Sequence, residues 1–216
     1  MPRIKVAVAL FGLMTLASPS WTADLSRLNM ALPSPQVQGG RPLMQALLDR
    51  QSSRAFSSRQ LPGQVLSDLL WAAAGINRPQ SGKRTAPSAR NWQEVEVYVV
   101  MEEGAYQYDA KSHSLKAVAQ GDLRTLTGPQ DFVATAPLNL VYVADTDKMK
   151  GAATDDQALY MGADTGFISQ NVYLFCASEG LATVVRGMVD RQALAKALQL
   201  PAQKKIVLAQ TVGYPL

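Results

Sequence analysis

The stretch Arg50-Gln51-Ser52-Ser53-Arg54-Ala55-Phe56 is the most informative part of this 216-residue sequence. It sets two guanidinium groups four residues apart around two hydroxyl groups, after an amphipathic run that predicts a short helix over residues 41–49. If helical geometry continues through the stretch, Arg50 and Arg54 share a face and can grip an anion from one side. That arrangement suits the phosphate of a nucleotide-like cofactor. The alternative is a solvated helix end, where Arg and Ser are common.

The first 23 residues have the pattern of a secretory signal peptide. Basic Arg3 and Lys5 precede an apolar run over residues 6–17, and small residues lead to a cleavage position near Ala23. The run is about half of the roughly 20 residues that a membrane-spanning helix needs. We therefore expect an exported, periplasmic protein without stable membrane insertion.

Composition and charge fit one ordinary globular domain after the signal peptide. Loss of Arg3 and Lys5 lowers the formal net charge from +4 to +2, and the remaining basic residues are scattered, so no nucleic-acid partner is expected. Residues 24–40 contain two Pro and two Gly and predict an extended arm, which leaves residues 41–216 as the domain. The single Cys176 excludes an internal disulfide and fits a core position.

Helical and extended patterns alternate along the domain without an internal repeat. Helices are predicted over residues 64–74, 155–180 and 190–198. Gly75 is expected to close the first of them in the left-handed conformation. Strand patterns predict a half-buried strand at 95–101, a hairpin around 105–108 and 115–118, a buried strand at 137–144 and strands at 182–185 and 205–212.

Several common chemistries lack their sequence signatures. The chain has no glycine-rich nucleotide-binding motif and no Cys/His cluster, so no metal site is expected. The only histidine, His113, lies at the predicted hairpin turn and is expected to be a surface residue rather than a general base. An exported hydrolase that uses a Ser and His113 is kept as an alternative, although no nucleophile-elbow motif supports it.

A second motif, Pro87-Ser88-Ala89-Arg90-Asn91-Trp92-Gln93, precedes the first long strand. Together with the Arg50 stretch, it resembles the FMN-dependent nitroreductase superfamily. The small-residue central helix, the short strand that ends in Arg186-Gly187 and the closing Gly213-Tyr214-Pro215 fit the same family, and the resemblance covers residues 43–215. The stretches 70–78 and 103–108 are most similar to the branch that includes azoline-oxidising dehydrogenases of peptide maturation.

The resemblance implies a nitroreductase-like α+β fold, in which helices enclose a mixed sheet, and a homodimer with FMN at its interface. It implies that Arg50, Gln51 and Ser52 belong to the FMN site, with Arg50 and Ser52 on the phosphate and ribityl chain. Arg54 would lie at the pyrimidine edge, where negative charge collects on reduction.

The same resemblance assigns four more positions to the cofactor site. Ser88 and Asn91 would bind the pyrimidine ring, and Gly187 would bring its N–H close to flavin N5, because glycine permits close approach. Arg186 stands where the family often has Glu and is expected to influence what binds over the ring.

The implied activity is two-step hydride transfer through flavin N5 to or from a small organic substrate, with NAD(P)H as one candidate electron donor. No catalytic side chain is named, because the flavin carries the chemistry. The alternative is a non-catalytic flavin-binding or scaffold protein that retains the fold.

Overall fold

The computed structural model describes residues 29–216. The predicted signal peptide, residues 1–23, and the first part of the predicted arm, residues 24–28, lie outside the described residues. Within the described part of the chain, no helix is both long enough and apolar enough to span a membrane.

The strands form one large sheet and one small ribbon. In chain order they are β1 Met30–Ala31, β2 Ile76–Arg78, β3 Lys83–Arg84, β4 Val95–Val100, β5 Gly104–Asp109, β6 Ser114–Gln120, β7 Leu138–Asp145, β8 Ala182–Arg186 and β9 Lys204–Gly213. Seven of them are ordered β1-β6-β5-β4-β7-β9-β8, and β2 pairs with β3.

Helices cover both faces of this sheet. They are α1 Leu43–Asp49, α2 Gly63–Ala74, α3 Phe132–Thr135, α4 Thr154–Glu179 and α5 Arg191–Ala197. Helix α4 packs against α1, α2 and three strands, and so forms the centre of the molecule. The α+β class is confirmed. Each strand pairing in residues 29–216 is antiparallel, so the described sheet is not a mixed one.

Strand β4 is buried on both sides, whereas its alternating pattern predicted a half-buried strand. Val97 and Val99 pack in the cluster that contains α2 and α4 residues. Tyr98 and Val100 pack on the other side with Leu194 of α5. The alternating pattern placed Tyr98 on the solvent-facing side, but the tyrosine ring can also pack in a core. Because β4 lies in the middle of the sheet, both of its faces are covered.

The end of α2 also differs from the expectation. Gly75 has φ −68° and ψ 159°, which is extended rather than left-handed, because the chain enters β2 at once. A Cβ at this position would collide with the Trp71 side chain and carbonyl. Glycine is therefore needed here for close packing and not for a left-handed cap.

Candidate functional site

The 50–56 segment is extended, so the premise of a shared helix face for Arg50 and Arg54 is wrong. Helix α1 ends one residue before Arg50, whose φ of −59° and ψ of 119° are not helical. The Ser53 N–H donates to a carbonyl of the edge strand β8 at 2.9 Å, which holds the segment in line with that strand. Alternate residues of an extended chain share a side. From this geometry we infer that Arg50, Ser52 and Arg54 still form one row.

Tyr173 of α4 ties this row to the sheet. Its hydroxyl oxygen accepts the Val185 N–H at 2.9 Å and lies 2.8 Å from Ser52 Oγ, to which its own O–H is free to donate. The Arg50 guanidinium carbon lies 5.4 Å from the ring centroid, within cation–π range. No motif in the sequence pointed to Tyr173. A tyrosine within a buried apolar helix was the available signal, because a buried phenol needs a polar partner.

The 87–93 loop is strained. Arg90, Asn91 and Gln93 have left-handed φ angles of 49°, 56° and 48°. The Gln93 N–H donates to Ser88 Oγ at 2.8 Å, and Gln93 Nε2 donates to Asn91 Oδ1 at 3.1 Å. Such conformations cost on the order of 1 kcal/mol each and persist only where the surroundings impose them. Strained residues of this kind are common at binding sites, which agrees with the binding role that the motif predicted for this loop.

Two buried carboxylates lie beneath the loop. Glu94 is 0% exposed and Asp164, on α4, is 2% exposed. The Ser88 hydroxyl donates to Glu94 Oε2 at 3.2 Å, and the Ala89 N–H donates to Asp164 Oδ2 at 2.8 Å. Burial raises the pKa of Glu94 to about 7, and the charge and hydrogen bonding of Asp164 add to this shift. The alternating pattern of β4 gave no reason to expect a buried Glu94.

A cavity of about 320 Å³ opens at the surface of the loop. Ser88, Asn91 and Arg84 line it, so a hydroxyl, an amide and a guanidinium converge on one space. Arg84 Nε donates to Gln93 Oε1 at 3.1 Å, and burial lowers the pKa of Arg84. Arg84 is a second residue that the sequence analysis missed. The cavity can bind the polar edge of a ring.

Gly187 follows β8 directly, at the end of the strand on which the 50–56 segment docks. A Cβ at Gly187 would have only Leu208 Cδ2 within 4 Å, at 3.8 Å. The residue is exposed and borders a cavity of about 470 Å³. The fold does not require glycine at this position, and its backbone is open to a ligand.

The Arg186 side chain is turned into the protein, although the sequence analysis placed it in the cofactor site. It is 6% exposed. Its Nη1 donates to the Thr127 carbonyl at 2.6 Å, Nε donates to Thr211 Oγ1 at 3.1 Å and Nη2 donates to Asn139 Oδ1 at 3.0 Å. Burial lowers the pKa of Arg186 to about 10, so the group stays charged at neutral pH. The guanidinium is therefore engaged by the fold and not presented to a ring.

The predicted site residues fall into two groups on opposite sides of α4. One half-site consists of the 50–56 segment with Gly187, and Tyr173 anchors it. The other is the 87–93 loop, which Asp164 anchors. Nine residues separate the two anchors, which is two and a half helical turns, or about 13.5 Å along the axis and half a turn around it. One chain therefore does not bring all the predicted residues to one point.

His113 and Ser67 do touch, but their hydrogen bonds exclude the nucleophile–base pair of a hydrolase. The buried Ser67 hydroxyl donates to the Pro33 carbonyl at 2.6 Å and lies 2.7 Å from His113 Nε2. Because the single Ser67 proton is used, Nε2 must donate, and Nδ1 accepts the Tyr108 O–H at 2.9 Å. His113 is thus a half-buried clamp between the arm and the hairpin, and it is more enclosed than the surface residue that we expected.

This clamp predicts a loss of stability in acid. Burial lowers the pKa of His113 below its ordinary 6.5, so the unfolded chain binds more protons as the pH falls through that value. We expect the His113→Gln variant to gain thermal stability relative to the wild type when the pH is lowered from 7.5 to 5.5, because only the wild type carries this histidine. A difference in unfolding midpoint between the two proteins that stays constant with pH in differential scanning calorimetry would contradict the clamp.

Other reactive groups in the described chain do not form a second site. Cys176 is buried, as predicted, and burial raises the pKa of its thiol. Residues 29–216 contain no group of three or more side chains placed to hold a metal ion.

Comparison with known proteins identifies the family. Residues 47–214 match the model of the nitroreductase family. A Methanocaldococcus jannaschii protein described as a nitroreductase is 32% identical over 155 residues, which is 67% of this chain and 78% of that protein. A nitroreductase crystal structure from Ralstonia eutropha is 42% identical, with a TM-score of 0.83 over 87% of this chain and 90% of that one.

A more distant structure shares the fold. The E. coli microcin synthetase McbBCD complex with truncated pro-MccB17 has a chain that is 20% identical, with a TM-score of 0.66 over 93% of this chain and 84% of that chain. The matched region contains both half-sites described above. This chain belongs to the nitroreductase family.

Proposed function

We propose that the protein is an FMN-dependent oxidoreductase that transfers hydride to or from a small organic substrate. The observation that carries the proposal is the pair of half-sites, each with the donors that a different part of FMN requires. Family membership supports a flavin-type oxidoreductase in general. When bound, FMN supplies the hydride chemistry.

The residues present fit this cofactor. The row of Arg50, Ser52 and Arg54 offers two cations and a hydroxyl to a phosphate and ribityl chain, which places Arg54 at the phosphate end and not at the pyrimidine edge that the resemblance implied. Gly187 lies at the end of the strand on which this row docks, with open space where a Cβ would be. Its exposed backbone can approach a planar ring closely, because no side chain intervenes.

The second half-site would hold the pyrimidine edge of the flavin. The Asn91 side chain is exposed, and its Oδ1 already accepts from Gln93, which orients its NH₂ group for donation. Ser88 and the guanidinium of Arg84 line the same cavity. These polar groups match a ring edge with alternating donors and acceptors.

We infer that two chains share each cofactor. Because the half-sites lie on opposite sides of α4, a two-fold axis that brings the 50–56 segment of one chain beside the 87–93 loop of its partner would complete two equal sites. No single chain needs to close around the ligand. The binding residues of each site would then come from both subunits.

Exposed apolar side chains beside the first half-site support this homodimer. Four lie on the seven-residue helix α1, namely Leu43, Met44, Leu47 and Leu48, which are 63%, 75%, 44% and 78% exposed. Such an exposed apolar group on one short helix is typical of an interface. Helix α1 leads directly into the 50–56 segment, so burial of this surface would also order the half-site.

Titration of the purified protein with FMN tests the proposal. We expect quenching of flavin fluorescence to saturate at one FMN per chain, with a mass of two chains in light scattering. Reduction of the bound flavin by NADH or NADPH under anaerobic conditions would support a nicotinamide donor. Bound FMN that no organic donor reduces, although dithionite does, would favour the non-catalytic alternative. Absence of FMN binding would overturn the proposal.

A further inference from the structure

We propose that Glu94 and Asp164 share one proton beneath the 87–93 loop, and that this proton keeps the loop in the shape that binds the flavin. The role in flavin binding rests on the proposed function. The shared proton itself concerns only this chain and can be tested without any cofactor. Both residues act through the loop and are therefore positioning residues.

Hydrogen bonding indicates where the proton lies. Glu94 Oε2 accepts from Ser88, whereas Oε1 is buried and has no partner in residues 29–216. Asp164 is a neighbour of Glu94, because both line one small cavity beneath the loop and accept hydrogen bonds from the adjacent residues Ala89 and Ser88. A carboxylate has acceptors only, so two ionised groups leave Oε1 without a partner. A proton on Oε1 makes that atom a donor to Asp164 and removes the unpaired atom.

The cations around the pair do not compensate two full negative charges. Arg84, on β3, is the cation whose field reaches Glu94. Lys148 donates to the Gln93 carbonyl at 3.2 Å, but its ion-pair partner is Glu96 at 3.4 Å. Burial outweighs these cations, since the pKa of Glu94 is raised to about 7. Burial of Glu94 therefore favours its protonated form.

The loop depends on this pair for its shape. Ser88 and Ala89 donate to the two carboxylates, and three of the next four residues are left-handed. Ionisation of both groups would create repulsion between the two carboxylates and admit water to the pair. The loop would then relax from its strained conformation. We expect flavin affinity to fall as the pH rises above about 7.

Unfolding of the flavin-free protein tests the shared proton directly. The ordinary pKa of Glu94 is 4.5 and the native one is about 7, so the native state holds the extra proton between these values. Stability from this group is complete below about pH 4.5 and is lost as the pH rises towards 7. Relative to Glu94→Gln, the unfolding equilibrium constant of the wild type should rise by up to about tenfold per pH unit in this window.

Urea titrations at pH 5, 6, 7 and 8 measure this difference. Asp164→Asn is the second variant, because its amide can donate to Glu94 and replace the proton, and it should also flatten the pH dependence. Glu96→Gln is the matched control two residues along β4, where the carboxylate pairs with Lys148 and Lys204. It should follow the wild-type profile with a constant offset. Parallel profiles for the wild type, Glu94→Gln and Asp164→Asn would overturn the proposal.

Flavin affinity supplies the second measurement. Between pH 6 and pH 8.5 the Kd of the wild type for FMN should rise by up to about 30-fold, as expected for loss of one linked proton with a pKa of about 7, whereas that of Glu94→Gln should stay constant. If the wild type binds no FMN at any pH but Glu94→Gln flattens the unfolding profile, the proposed function fails and the shared proton stands. If affinity falls equally in both proteins, the role of the pair in positioning the loop is wrong.

Discussion

The double variant Arg50→Ala/Arg54→Ala should lose FMN binding, and so should the variant Asn91→Ala. When chains of the two variants assemble with each other, we expect about a quarter of the cofactor sites to bind FMN again. Each charge-assisted hydrogen bond is worth about 1.5–3 kcal/mol, so loss of both guanidiniums should weaken binding about 100-fold or more. In a mixed dimer with two-fold symmetry, one site collects both damaged halves and the other collects both intact halves. Random mixing makes half of the dimers mixed.

The deciding measurement is the amount of FMN bound per mixed dimer, which is obtained by co-expressing the two variants with different tags and purifying the dimer that carries both. A control with Lys111→Ala/Lys205→Ala removes the same charge from exposed positions outside both half-sites and should bind FMN as the wild type does. If the mixed dimer stays empty, both half-sites act on FMN within one chain or not at all. If the double arginine variant keeps wild-type affinity, the roles assigned to Arg50 and Arg54 are wrong.

Arg186→Ala should lower the free energy of unfolding by about 3–5 kcal/mol. The substitution removes five hydrogen bonds from a charged donor, three of them at 3.1 Å or shorter, and leaves a cavity, and the buried Thr127 carbonyl loses its 2.6 Å donor. Burial of the charged Arg186 guanidinium is itself unfavourable, because desolvation lowers the pKa of this group to about 10. We expect the loss of these hydrogen bonds to outweigh the desolvation cost that the substitution removes, since the partners Thr127, Asn139 and Thr211 are themselves buried.

Two further variants separate packing from hydrogen bonding in urea denaturation. Arg186→Met fills most of the volume and should cost about 2 kcal/mol, which is the hydrogen-bonding part. Arg191→Ala removes an exposed arginine that also donates to carbonyls, at 3.0 and 2.9 Å, and should cost less than about 1 kcal/mol. A loss below about 1 kcal/mol for Arg186→Ala would show that the buried charge is no net support to the fold.

Local sequence signals predicted most of the elements. The long apolar pattern at 155–180 corresponds to α4 Thr154–Glu179, and the predicted hairpin corresponds to β5 and β6. Periodicity identifies such elements because their side chains face one core. It was less informative for Gly75 and for the faces of β4, where contacts with distant residues decide the conformation. It also gave no sign that the 50–56 segment is drawn out along β8.

The same division holds for the candidate site. Short motifs located Arg50, Ser52, Arg54, Ser88 and Asn91, because recognition of an anion and a ring edge needs particular residue types at close spacing. Their supporting residues could not be found in this way. Tyr173, Glu94 and Asp164 are distant in sequence from the groups that they hold, and only the packing of α4 against the sheet brings them there.

The sequence by itself determined the family, the α+β class and the residue types of the proposed flavin site, since these depend on local patterns and motifs. Only the tertiary structure decided that Arg186 is part of the fold, that His113 is a clamp and that the motifs form two half-sites on opposite sides of α4. The reason is physical. Burial and direction in space arise from contacts between residues far apart in the chain, and no local pattern records them.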